Sequence, residues 1–182
     1  MAIFDYDRRR AFEYALRWAY KRNPLFYDFS DSGGDCTAFV SQCIFAGCCR
    51  MNFTETFGWY YVSVNDRAPA WSGVEFLYNF LTSNEGDGPF GGEVTLRETR
   101  TGDVIQLADS DGDYYHTLLV IGRNGDDILV ASHTIDSFAR PLSSYSYASL
   151  RAIRIEGYRS ETDTCRCFDG LISGERLELC GR

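Results

Sequence analysis

The chain has 182 residues, 45% hydrophobic and 24% charged, with 13 Phe, 12 Tyr and 3 Trp, enough for one folded domain and too apolar for a disordered segment. Against 18 Lys and Arg stand 26 Asp and Glu, a net charge of −8 that argues against nucleic acid and anionic membrane surfaces as partners and hints at a substrate that is not strongly acidic. No apolar run is long enough to span a bilayer and no apolar segment follows the early arginines, so the sequence as it stands reads as cytoplasmic; a leader already removed would leave no trace.

Residues from about Asp5 to Arg22 read as an amphipathic helix, with Phe12, Ala15, Leu16 and Ala19 at helical spacing and Asn23-Pro24 as its stop. The basic cluster Arg8, Arg9, Arg10, Arg17, Lys21 and Arg22 reads as a solvated helix face. After a loop ending in Gly33-Gly34, a second helix is expected from Cys36 to about Ala46, with Asp35 as its N-cap and Gly47 as its end. Phe39, Val40, Cys43 and Ile44 share a face with Cys36, which makes this helix central and buried with the thiol at its tip. Ser72-Gly73-Val74-Glu75 has the form of a capping box and predicts a third helix. The Gly-rich stretch 84–93 lacks the Lys-Ser/Thr ending of a phosphate loop and reads as a flexible connection. Strands are expected at 103–108, 116–121, 128–133 and 150–155. Helices first and strands later predict an α+β fold, N-terminal helices packed on an antiparallel sheet, as a domain over 1–158 with a cysteine-bearing extension over 159–182.

A thiol at a helix start feels the positive end of the dipole and the free N–H groups there, both of which favour thiolate. The chain has two histidines, His116 and His133. If Asn124-Gly125 forms a two-residue turn, the register sets these histidines opposite each other, so that one imidazole can orient the other. A longer turn would replace that pairing and make Asp136 the orienting candidate. Cys36 with His116 then has the logic of an activated nucleophile. Its oxyanion hole would use the Cys36 backbone N–H, with Tyr27 as candidate for the second donor. The aromatic group Phe57, Trp59, Tyr60, Tyr61 and Trp71 reads as core.

At G-G-D-C-T-A-F-V-S-Q-C (33–43) the chain resembles a bacterial amidase-like domain family related to the NlpC-type cell-wall peptidases of the papain superfamily. Matching stretches follow in one order: Y-D-R-R-R-A-F-E-Y-A (6–15), N-P-L-F-Y (23–27), W-S-G-V-E-F (71–76), T-G-D-V-I-Q-L (101–107), H-T-L-L-V (116–120) and H-T-I-D (133–136). Family members usually carry Asn where Ala38 stands. The resemblance implies a papain-like fold, Cys36 as nucleophile, His116 as general base and acid, and His133 as the residue that orients it. It implies hydrolysis of an amide or peptide bond through a thioester, with bacterial wall peptides as a substrate class and no cofactor or metal. Two rivals share the fold: a non-catalytic binding module and an acyl transferase using the same pair. Seven cysteines cannot all pair within one chain, and Cys165, Cys167 and Cys180 are left open as a disulfide set or, as a third rival, a metal site.

Overall fold

The computed structural model describes residues 1–180. A short strand β1 (Ala2–Phe4) precedes helix α1 (Arg8–Trp18). Asp7 caps α1, its carboxylate accepting from the Arg10 N–H at 3.0 Å, so the helix starts later than Asp5. It ends before Arg22, which instead reaches Asp28 and Asp136. Helix α2 (Cys36–Cys48) is buried along its whole length, between α1 and the sheet, so its apolar stripe is part of all-round burial. Gly47 does not end it. A Cβ there would run into the Tyr6 ring, and the turn out of the helix comes at Cys49, in the left-handed region at φ 49°.

A two-stranded ribbon, β2 (Tyr61–Ser63) and β3 (Asp66–Arg67), leads to α3 (Pro69–Ser72) and α4 (Val74–Ser83). The expected capping box does not form. Gly73 is extended, Ser72 accepts from Arg67 Nε at 3.1 Å, and Glu75 pairs with Arg151 at 2.7 Å. A capping box does close one turn elsewhere, between Thr95 and Glu98.

The sheet has seven antiparallel strands: β4 (Gly88–Val94), β5 (Val104–Ala108), β6 (Tyr114–Asn124), β7 (Asp127–Ser132), β8 (Ser137–Pro141) and β9 (Ser149–Ser160), with β1. β9 pairs with β5 over its first part, with β1 at its end, and with β4 along its other edge. The stretch expected as a flexible connection is therefore largely strand. Its glycines serve close approach: a Cβ at Gly91 would collide with the Arg154 carbonyl where the ladder slips between Phe90 and Gly91. Period-two alternation splits the sheet's apolar residues between two cores. Val104, Leu119, Ile121, Ala131, Ile153 and Ile155 join the helices, while Ile105, Leu107, Leu118, Val120, Ile128 and Val130 form a smaller cluster with Leu142. Burying each such aliphatic side chain contributes roughly 1.5–3 kcal/mol.

The tail joins the main core. Helix α5 (Phe168–Ser173) buries Leu171, whose carbonyl accepts from Trp18 Nε1 at 3.2 Å and Asn23 Nδ2 at 2.9 Å. Disulfides link Cys49 to Cys167 and Cys165 to Cys180, leaving Cys36, Cys43 and Cys48 free. The described residues thus form an α+β arrangement, and no helix among them is long and apolar enough to cross a membrane.

Candidate active site

The turn into α2 depends on Gly33 and Gly34, at φ 96° and 108°, a region that costs a side-chain-bearing residue heavily. Asp35 follows at the N-cap position, but its side chain does not cap. It is almost fully buried and turns backwards: Oδ1 accepts from the Phe29 N–H at 3.0 Å and Oδ2 meets His133 Nδ1 at 2.6 Å. The first-turn N–H groups of α2 are therefore left without a side-chain cap beside the Cys36 sulfur.

Thr37 Oγ1 and Thr117 Oγ1 lie 2.8 Å apart and tie the start of α2 to β6. Cys36 Sγ sits 3.9 Å from Thr37 Oγ1, with the backbone N–H groups of Thr117 and Thr37 also directed to it. Burial pushes the thiol up from its ordinary value, and those two N–H groups oppose the push without reversing it. Next to Thr117, His116 lines a cavity of about 310 Å³ with Cys36, Gly33, Tyr115, Arg140 and Tyr145. Burial, then the charge of Arg140, hold the His116 imidazole down at about 4. The resting site thus carries a neutral thiol and a neutral imidazole near pH 7. No hydrogen bond to the His116 ring, from Cys36 or any other group, occurs among the described residues; the ring lies near those of Tyr115 and Tyr145 at 6.3 and 6.0 Å.

The expected pairing of the two histidines does not occur. Asn124 pairs with Asp127, so the turn residues are Gly125 and Asp126, and a bulge between Val120 and Gly122 shifts the ladder again. His133 falls just past the end of β7, and neither it nor Asp35 lines the cavity. Its Nε2 donates to the Trp18 carbonyl at 2.9 Å and its ring stacks on Phe39 at 3.9 Å. Both ring nitrogens are committed, so His133 cannot orient His116 in this arrangement. Asp136 does not orient it either: it takes a two-pronged contact from Arg22, at 3.0 Å to each oxygen. Tyr27 is half exposed, packs against Phe29 and does not line the cavity. Ala38 is fully buried, away from the cavity.

Sequence reasoning missed four contributors. Thr117 was accessible, because alternation puts it on the face opposite its neighbour His116 and towards α2. Asp35 reads from sequence only as a cap. Arg140 and Tyr145 reach the cavity through a β-edge and a turn that carried no periodic signal.

A helix-borne thiol and a strand-borne imidazole on one cavity, with helices segregated on an antiparallel sheet, define the class: an α+β protein with a thiol–imidazole cleft. Within that class the chain belongs to the family described as "Putative amidase domain", whose model matches residues 5–156 and whose description suggests amide hydrolysis. It is 31% identical over 141 residues to "Uncharacterized protein YhbB" of Bacillus subtilis (strain 168), a match that covers 75% of this chain and 44% of that protein. The chain therefore spans less than half the length of that relative. No solved structure matches it.

Proposed function

We propose that this chain is a papain-like, NlpC-related cysteine hydrolase that cuts an amide or peptide bond, with bacterial cell-wall peptides as its substrate class. The observation that carries the reading is Cys36 and His116 on one cavity, with the sulfur beside an uncapped helix start. The His116 ring, held by no hydrogen bond among the described residues, swings to the sulfur when substrate fills the cleft; catalytic contacts are often long before substrate arrives. His116 takes the Sγ proton and the thiolate attacks the amide carbonyl. The developing oxyanion is held by the Cys36 backbone N–H with a second first-turn N–H of α2 in the place expected for Tyr27. Protonated His116 then gives its proton to the leaving amine, and water cleaves the thioester to release the acid.

His133 acts as a positioning residue. Through Asp35 it fixes the residue that precedes the nucleophile. The two disulfides persist in oxidising surroundings, which favours a site of action outside the reducing cytosol and suits a wall substrate.

A screen of peptide and wall-fragment amides against the wild type and Cys36→Ala tests the proposal. Turnover by the wild type that vanishes in a folded Cys36→Ala supports it; turnover retained in that variant sinks it. The neutral, unjoined pair favours one rival, a non-catalytic binding module on the same fold. Labelling of Cys36 by an electrophilic substrate mimic separates the two, because only an enzyme attacks it faster than a buried thiol does.

A further inference from the structure

Among the described residues the cleft is lined by one permanent cation, and nothing in the proposed chemistry uses it. Arg140 lies on the edge strand β8, half-buried and lining the cavity beside His116. Its guanidinium is fixed from several sides: Nε donates to Ser144 Oγ at 2.9 Å, one terminal nitrogen donates to the Ser144 carbonyl at 3.2 Å, and the group lies over the Tyr145 ring at 3.9 Å. None of these partners is anionic, and among the described residues Arg140 forms no ion pair, although the chain carries eight more acidic than basic residues. The residue before it, Ala139, sits in the left-handed region at φ 60°, which is uncommon for a side-chain-bearing residue and costs energy. That kink lies on the edge strand where β7 and β8 slip register.

We propose that Arg140 receives a carboxylate of the substrate, so that the cleft selects peptide amides bearing a negative charge close to the bond that is cut. A planar guanidinium stiffened by three contacts loses little freedom on binding and grips a carboxylate with two parallel hydrogen bonds. The rest of the wall suits a peptide with some apolar character: the Tyr115 hydroxyl is occupied by the Ser146 carbonyl and the Tyr145 hydroxyl lies 3.3 Å from Ser132 and Ser137, so their rings offer faces, next to Ile135. A negative overall charge and a preference for an acidic group coexist because recognition depends on the local field within the cleft. The carboxylate could belong to an acidic side chain or to a free peptide terminus.

The inference rests on the cleft being the substrate site, and its test separates the two ideas. Matched short peptides carry Glu or Gln beside the susceptible amide, each with a free or an amidated C-terminus. Their binding to the Cys36→Ala protein is measured by calorimetry, alone and combined with Arg140→Gln or Arg140→Lys. One acidic form should bind about tenfold or more tighter than its amide counterpart, as expected of a charge-assisted hydrogen bond. That ratio should fall to near one with Arg140→Gln and partly return with Arg140→Lys; which acidic form wins identifies the source of the carboxylate. Equal binding of acid and amide, a preference that survives Arg140→Gln, or no binding of any peptide overturns the inference. Preference without wild-type turnover sinks only the cleavage reading, and turnover without preference sinks only this one.

Discussion

The surroundings of the two histidines differ in almost every physical respect. His133 is almost fully buried, stacked on Phe39 and tied at both nitrogens, to Asp35 and to the Trp18 carbonyl. His116 lines an open cleft, carries no hydrogen bond on either nitrogen among the described residues, and is pushed towards the neutral form. A ring with two fixed partners holds structure in place; a ring with none can move and can exchange a proton. The same residue type is therefore architectural at one position and available for chemistry at the other, and the difference is set by what surrounds it.

The contrast can be broken by substitution. Cys36→Ala should lower turnover most, by about 10⁴-fold or more, with an unchanged circular dichroism spectrum. His116→Ala should follow, at about 10²–10⁴-fold, again with little change in melting temperature, because no hydrogen bond among the described residues is lost. His133→Ala should lower stability most and turnover by less, through the loosened Asp35. Removing one side of a buried pair costs about 3–5 kcal/mol, so denaturant titration should show the loss directly. Cys36 alkylation measured well below that variant's melting point tells whether Asp35 still holds the nucleophile. An unchanged alkylation rate would make His133 purely structural.

A smaller effect sharpens the comparison through pH. His116 titrates at about 4 in the folded protein against an ordinary 6.5, so between those values the unfolded chain binds a proton that the folded one does not. Stability should therefore rise as pH increases from 4 to 6.5 and the contribution should be complete above 6.5, up to about 3 kcal/mol. His116→Gln should flatten that rise in chemical denaturation curves. A variant as acid-sensitive as the wild type would place the effect elsewhere.

Much of the fold can be read along the chain because its signals are local. The burial of α2, the placement of Cys36 at its tip and the four expected strands follow from periodicity. The partner of His133 could not be read this way, because one slipped turn at Gly125 and one bulge before Gly122 move a strand by residues that no propensity registers. Asp35 departs from its expected role for a related reason: a residue suited to cap a helix meets a stronger partner 98 positions away. The strand at Gly88–Val94 was hidden because its glycines resemble a linker unless the approaching Arg154 backbone is known. Arg140 depends on a kink at Ala139 that a sequence does not announce.

The link between Cys49 and Cys167 closes a loop of 118 positions that holds most of the sheet and the His116 side of the cleft, while Cys36 lies outside it. A protease that nicked the chain anywhere inside that loop would leave two pieces still joined covalently. Such material would migrate as one species on a gel run without reductant and as two with it. Damage to the backbone would thus be invisible until the sulfurs were separated.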